Sequence, residues 1–167
     1  MQIVKPKWHE IMTNSKYFDV IILSSDNIEI PAHRCFLDKF SQKFADIIAE
    51  SKEIPVKINI EKFNAEIIKA SLEFLYDKLD SILGKESQVF KFATEYSIEI
   101  LKETCCSHFE KTVNSENVCE FIQIAYNNGF EELKQKCQKH IALNKKDIDS
   151  TKLKELPKEI IVDIFCS

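Results

Sequence analysis

Three residues early in the chain, Asp19, His33 and Arg34, are of types that could form a chemical site. A carboxylate, an imidazole and a guanidinium that meet in a fold can transfer a proton or bind an anion. The alternative is that His33 is a packed, hydrogen-bonded histidine and that Asp19 and Arg34 hold the fold together. We favour this second interpretation, because the rest of the sequence offers these residues no catalytic partner.

No pattern in the chain is typical of an enzyme. The four histidines lie far apart in the sequence, and no serine stands in a GxSxG motif. The chain has only two glycines, and neither belongs to a GxGxxG motif or a P-loop that could hold a phosphate. We therefore predict that the protein is not an enzyme and needs no cofactor.

The cysteines raise the question of a metal or redox site. The run Cys105-Cys106-x-His108 has suitable ligand types, but neighbouring side chains on a helix diverge, and no second pair has structural-zinc spacing. Cys35, Cys105 and Cys137 fall on apolar faces of helical patterns, where a thiol acts as a small hydrophobe. We predict no metal and reduced thiols; redox sensing would require an exposed thiol of low pKa.

Composition and charge narrow the classes of partner. Of the 167 residues, 44% are apolar and 30% are charged, which is typical of a globular domain with a core. The 23 basic and 27 acidic residues are interspersed, so we expect no nucleic-acid partner. No apolar run reaches the roughly 18 residues of a membrane span, and the polar start is unlike a signal peptide. We expect a protein of the cytoplasm, the nucleus or both, without a membrane partner.

Three short segments have the patterns of strands. Residues 18–23 form an apolar run typical of a strand covered on both faces, residues 27–30 return across the turn at 24–26, and residues 56–60 alternate. Pro31 and Ala32 are then predicted to begin a helix. The sequence predicts a small three-stranded sheet.

Helical patterns cover most of the remaining chain. Phe36, Phe40, Phe44 and Ile48 repeat at four-residue steps, and Ser41 could cap a new helix and split this run in two. Later helices are predicted from apolar stripes with three boundary signals: a cap at 114–115, Gly129 as a terminator, and Pro157 in the first turn of the last helix. The predicted fold class is α+β, with the helices arranged in pairs.

The first part of the chain resembles a BTB/POZ domain. The resemblance lies in Phe18-Asp19-Val20, in Pro31-Ala32-His33-Arg34-x-x-Leu37 after the hairpin, and in Phe74-Leu75-Tyr76. That family usually reads F-x-Y-T-G at the last of these, whereas Asp77-Lys78 follow Tyr76 here. Within the family, the likeness is closest to the speckle-type POZ protein and the nematode MATH-BTB adaptors, without their MATH domain.

The later part of the chain is similar to the helix pair, called the 3-box, that opens the BACK domain in those adaptors. Residues 113–141 carry this similarity, and one further helix pair follows. The resemblance implies a BTB/POZ domain over residues 1–111 and a 3-box or BACK-like all-α extension over residues 112–167.

The resemblance implies a two-fold homodimer, or a heterodimer with a related BTB protein. The N-terminal segment bears large apolar groups with little chain before it to cover them, although these groups could instead fold back on their own core. Asp19 and Arg34 correspond to opposite charges that lie near the base of the dimer interface in the resembling domains. If they form a buried pair, loss of one partner costs roughly 3 to 5 kcal/mol. The predicted interface comprises Trp8, Ile11, Met12, Tyr17, Asp19, Arg34 and Leu37.

The resemblance also implies a cullin-3 contact. Ile48-Ala49-Glu50 match the hydrophobic-x-Glu motif of cullin-binding BTB adaptors, in which the apolar residue enters a pocket; alternatively, Ile48 only closes its helix against the core. The predicted contact residues are Phe44, Ile47, Ile48, Glu50, Tyr76, Asn117 and Phe121.

These features predict an interaction module that homodimerises and serves as substrate adaptor of a cullin-3 RING ubiquitin ligase. The substrate is not predicted by the sequence. The alternative function is a structural oligomerisation or scaffold protein that uses the same dimer and binds no cullin.

Overall fold

The computed structural model describes residues 8, 10, 12, 14 and 16–165. The chain forms two compact units, Met1–Cys105 and Cys106–Ser167, each described here by itself. The α+β class predicted from the sequence is confirmed, since a small mixed sheet is accompanied by many helices. The predicted domains, residues 1–111 and 112–167, stay a prediction.

The first unit contains the three-stranded sheet. Its strands are β1 (Val20–Leu23), β2 (Glu29–Ala32) and β3 (Val56–Asn59), in the order β2-β1-β3. β1 pairs antiparallel with β2 and parallel with β3. Val20 and Ile22 are fully buried, as expected of a central strand in a small sheet.

The prediction that Pro31 and Ala32 begin a helix is wrong. Both residues belong to β2, where Pro31 stands opposite Ile21 and Ala32 opposite Val20. Because β2 is an edge strand, a proline that lacks an N–H group is tolerated there. His33 is still extended, and the helix begins at Arg34.

After β2, the chain forms a pair of helices separated by one residue. This unit contains helices α1 (Arg34–Phe40), α2 (Gln42–Glu50), α3 (Ala65–Leu75) and α4 (Glu86–Glu95), and a 3₁₀ turn (Leu79–Ile82). Ser41 separates α1 from α2, and its Oγ accepts a hydrogen bond of 3.0 Å from the N–H of Phe44. The predicted split at Ser41 is therefore confirmed. Helix α5 (Glu99–Thr112) begins in the first unit and ends in the second.

All the regular secondary structure described in the second unit is helical. It contains α6 (Val118–Asn128), α7 (Glu131–Asn144), a 3₁₀ turn (Lys145–Asp147), α8 (Ser150–Lys154) and α9 (Lys158–Phe165). Gly129 ends α6 in the left-handed conformation, with φ of 70°, which confirms it as the predicted terminator. Pro157 stands directly before α9, and its carbonyl accepts the first helical hydrogen bonds. The predicted cap is displaced, since Asn114 orders the turn before α6 rather than the helix itself.

The thiols divide into buried and exposed groups. Cys105 and Cys137 are fully buried, as predicted, and burial raises the pKa of Cys137 to about 12. The same prediction is wrong for Cys35, which is exposed because Leu37 is the α1 residue that turns into the core.

Candidate protein interaction surfaces

The buried Tyr76 packs against helix α1. Its side chain is 1% exposed, its ring stacks on Phe36 with centroids 4.1 Å apart, and its hydroxyl lies 2.8 Å from Nδ1 of His33. Burial raises the pKa of Tyr76 well above its ordinary value. His33 is thus a packed, hydrogen-bonded histidine, as the sequence indicated.

Asp19 ties β1 to the start of α1. Its two carboxylate oxygens accept from Nε of Arg34 at 2.8 Å and from the backbone N–H of Arg34 at 2.7 Å. The expected pair is therefore present. Its side chains are 30% and 39% exposed, however, so the 3 to 5 kcal/mol expected for a buried pair is too large. The position of this pair at a dimer floor stays a prediction.

An apolar groove of about 490 Å³ lies beside α1. Trp8 packs edge-on against Phe36 at its rim, with centroids 6.2 Å apart, and is still 44% exposed. Leu79 and Ile100, also in the lining, are 62% and 45% exposed. The groove is lined by Trp8, Cys35, Phe36, Lys39, Phe40, Phe74, Leu75, Asp77, Leu79 and Ile100. This concave apolar surface is suited to burial against another protein.

The other predicted dimer residues are placed differently. Leu37 is buried in the core, Met12 is half-buried, and Ile11 lies outside the described residues. Tyr17 is 87% exposed, with a positive φ of 70°. The predicted interface thus overlaps the groove at Trp8. Sequence reasoning missed Leu79 and Ile100, because neither stands in an apolar pattern that distinguishes surface from core.

Tyr96 packs against helix α2 in the same way as Tyr76 packs against α1, through a stacked phenylalanine ring. Phe44 is fully buried and stacks on Tyr96 with centroids 4.5 Å apart, and Ser41 Oγ donates to the Tyr96 carbonyl at 2.5 Å. Lys43 lies over the Tyr96 ring, 4.8 Å from its centroid, and forms an ion pair of 2.9 Å with Glu95. Burial raises the pKa of Tyr96 to about 12. The beginning of α2 is therefore packed and hydrogen-bonded against Tyr96.

The end of α2 and the following loop carry the predicted hydrophobic-x-Glu motif. Ile47 and Ile48 are half-buried, whereas Ala49 and Glu50 are exposed. In the loop over residues 51–55, Ile54 is 73% exposed. We define these residues, 47–55, as the α2 surface.

The predicted contacts in the second unit lie around the start of α6. Asn117 is half-buried, and its amide donates to the Thr112 carbonyl at 2.9 Å. Phe121 is buried and stacks on Phe109, with centroids 4.4 Å apart. Phe44, Tyr76 and Phe121 therefore lie in the cores of their units, and the prediction that they contact a partner stays untested.

A polar network joins α6, α7 and α9. The Tyr126 hydroxyl donates to Asp163, and Lys134 forms an ion pair of 3.0 Å with the same carboxylate. The Lys134 ammonium also lies over the Tyr126 ring, 4.5 Å from its centroid. This network stabilises the helix packing of the second unit.

Among residues 8, 10, 12, 14 and 16–165, no three His, Cys, Asp or Glu side chains cluster as metal ligands would. No helix in this part of the chain is long and apolar enough to cross a membrane.

Comparison with known proteins shows where the chain is similar to others. A family model described as BTB/POZ domain matches residues 8–113. A BTB/POZ domain-containing protein of Arabidopsis thaliana is 29% identical over 136 residues, which are 78% of this chain and 41% of the relative.

Two animal relatives extend this similarity. The BTB and MATH domain-containing protein 42 of Caenorhabditis elegans is 25% identical over 68% of this chain and 29% of its own length. Kelch-like protein 24a of Danio rerio is 24% identical over 78% of this chain and 22% of its own length. The chain thus spans less than half the length of each of these relatives. A special likeness to MATH-BTB adaptors stays a prediction.

Proposed function

Because the chain belongs to the BTB/POZ family, we propose that this protein-interaction module homodimerises and serves as a substrate adaptor of a cullin-3 RING ubiquitin ligase. In this proposal the ligase supplies the chemistry, and the chain itself is not an enzyme. Residues 112–167 act as a 3-box or BACK-like extension that widens the cullin contact.

The groove beside α1 is the observation that supports the dimer. Its exposed apolar rim, at Trp8, Leu79 and Ile100, would become buried in an interface. Lys39 and Asp77 line the same groove, and a two-fold interface that pairs Lys39 of one copy with Asp77 of the other forms this ion pair twice. In this proposal a second copy of the chain is the partner that covers the groove.

Leu79 and Leu83 provide a matched test of the dimer. Both are 62% exposed, but only Leu79 lines the groove. We expect Leu79→Asp to raise the dimer dissociation constant at least about tenfold, because it places a carboxylate in the interface. Leu83→Asp should leave it unchanged. Sedimentation or light scattering measures both; an unchanged dimer in Leu79→Asp would contradict this use of the groove.

The α2 surface is the observation that supports cullin binding. Ala49 and Glu50 are exposed at the carboxyl end of α2, directly after the half-buried Ile48. An apolar anchor next to a charge is typical of an interface hot spot. The arrangement matches the hydrophobic-x-Glu motif by residue type and by position at a helix end.

Co-elution with the purified cullin-3 N-terminal domain tests this contact. We expect wild-type protein to co-elute on a sizing column and Glu50→Lys to lose co-elution while it remains a dimer. Ile48→Asp should behave similarly, although its half-buried position requires a check of folding. Co-elution of both variants would contradict the assigned surface.

A structural oligomerisation protein is the second candidate. It is favoured by the groove, since burial of this apolar surface between two copies requires no cullin. An intact wild-type dimer that never co-elutes with the cullin domain would support this candidate over the adaptor.

Three further points are the possible heterodimer partner, the cellular compartment and the substrate. We propose that a related BTB protein can replace one copy in a heterodimer and that the complex acts in the cytoplasm, the nucleus or both. Affinity purification from its own cells, followed by mass spectrometry, tests these points and identifies a substrate.

A further inference from the structure

Two charges of opposite sign lie in the apolar groove beside α1. Lys39, on α1, and Asp77, two residues after the end of α3, both line the groove and are exposed. Among the residues that the structure describes, neither side chain has an ion-pair or hydrogen-bond partner. The groove therefore presents one unpaired cation and one unpaired anion within an apolar surface.

The carboxylate of Asp77 is a feature of this chain rather than of the usual BTB/POZ pattern. That pattern has threonine after the tyrosine, whereas Asp77 follows Tyr76 here. Asp77 has a positive φ of 73°, a conformation that glycine and asparagine adopt as readily as aspartate. The turn therefore accounts for the backbone at this position but not for the negative charge.

These charges restrict what can cover the groove. A partner that packs on the apolar rim takes Lys39 and Asp77 partly out of water, and a charge left unpaired there weakens binding. A suitable partner therefore supplies an anion opposite Lys39 and a cation opposite Asp77. A second copy of the chain carries both groups, and a two-fold axis can bring each against its opposite.

We infer that ion pairs between Lys39 of one copy and Asp77 of the other select the partner that covers the groove, an inference that rests on the proposed dimer. The apolar rim supplies affinity, and the two pairs supply the register and the choice of partner. A related BTB chain can replace one copy when it carries an acidic group opposite Lys39 and a basic group opposite Asp77. A wholly apolar partner surface is disfavoured, because it leaves both charges unpaired.

Charge reversal on the full chain tests the inference. Lys39→Asp and Asp77→Lys each replace both ion pairs by contacts between like charges, so each variant alone should dimerise at least about tenfold more weakly than wild type. An equimolar mixture of the two should form a mixed dimer within about threefold of the wild-type dissociation constant, because each contact again joins a carboxylate to an ammonium group. Sedimentation measures the constants, and native mass spectrometry identifies the mixed dimer by its mass.

Two further variants serve as controls. The double variant Lys39→Asp/Asp77→Lys should dimerise with itself like wild type but should not mix with wild-type chains, since both contacts in that mixed dimer join like charges. Lys69→Asp makes the same charge change at an exposed lysine of α3 outside the groove lining, and its dimer should be unchanged. Recovery on mixing also excludes misfolding as the cause of the single-variant defects.

The outcomes separate this inference from the proposed dimer. If wild type dimerises and both single variants do so equally well, or if neither the mixture nor the double variant recovers, the pairing is wrong and the dimer stands. Equal weakening in Lys39→Asp and Lys69→Asp would reveal a nonspecific charge effect and also overturn the pairing. Wild-type protein that stays monomeric would refute the proposed dimer, and the pairing with it.

Discussion

Helices α1 and α2 each pack on a buried tyrosine, but the surfaces that they expose differ. Phe36 of α1 stacks on buried Tyr76, and Phe44 of α2 stacks on buried Tyr96. Phe36, however, also lines the apolar groove, whereas Phe44 is completely buried. The groove therefore shares residues such as Phe36 with the core, while the α2 surface consists of a helix end and a loop.

This difference determines how the two surfaces can be tested. Substitution of Phe36 is expected to change folding and association together, because its ring both stacks on Tyr76 and lines the groove. Substitution at Ile54 or at the rim residue Leu79 removes exposed surface and leaves the core intact. Effects on folding and on binding can thus be measured separately at Ile54 and Leu79, but not at Phe36.

The largest effect is expected for Phe36→Ala. Loss of the ring removes the stack on Tyr76 and the packing of Trp8, so we expect the free energy of unfolding to fall by about 3 kcal/mol. Ile54→Ala should change it by less than about 0.5 kcal/mol, because the side chain is exposed. Urea unfolding measures both; similar losses would show that the two surfaces do not differ in this way.

A smaller contrast is expected between the polar groups that begin the two helices. Ser41→Ala removes the cap of α2 and a buried bond to the Tyr96 carbonyl, and should cost about 2 kcal/mol. Asp19→Ala removes the tether of α1, but its ion pair is partly exposed, so about 1 kcal/mol is expected. The same unfolding experiment ranks them, and a larger loss at Asp19 would reverse the contrast.

Alkaline pH should lower the free energy of unfolding through the two buried tyrosines, Tyr76 and Tyr96. Burial raises the pKa of Tyr96 from 10.0 to about 12 and that of Tyr76 further, so the folded state holds these protons more tightly than the unfolded state. Their contribution to stability is complete below pH 10 and is lost as the pH rises from about 10 towards 12. Tyr96→Phe should show a shallower decline over this range in urea unfolding; an unchanged slope would contradict the stated cause.

The smallest effect is expected in thiol labelling. Cys35 is exposed in the groove, whereas Cys105, Cys106, Cys119 and Cys137 are buried. In a Cys166→Ser background, iodoacetamide should modify Cys35 first and should do so several-fold faster in the Leu79→Asp variant than in the dimer. Equal labelling rates, read by mass spectrometry, would indicate that a second copy does not cover the groove.

Local patterns predicted much of the fold. The apolar run at β1 and the alternation at β3 identified the strands, and Ser41 among regularly spaced phenylalanines identified the break between α1 and α2. Gly129 marked the end of α6 correctly. These signals work because hydrogen-bonding periodicity and caps depend on residues only a few positions apart.

The boundary at β2 was harder to predict for a physical reason. Proline and alanine before His33 are compatible with a helix start, but pairing with β1 extends β2 through both residues. Cys35 was misplaced because a short helix has too few apolar residues to show which face is buried. Tertiary pairing decided both cases.

The candidate surfaces show the same division. The sequence by itself determined a three-stranded α+β fold, the α1 and α2 pair, and a hydrophobic-x-Glu motif at the end of α2. Only the tertiary structure decided that Leu79 and Ile100 join Trp8 around one groove, and that Ile54 is more exposed than Ile48. Periodicity is a property of neighbouring residues, whereas exposure depends on which distant segments cover a side chain.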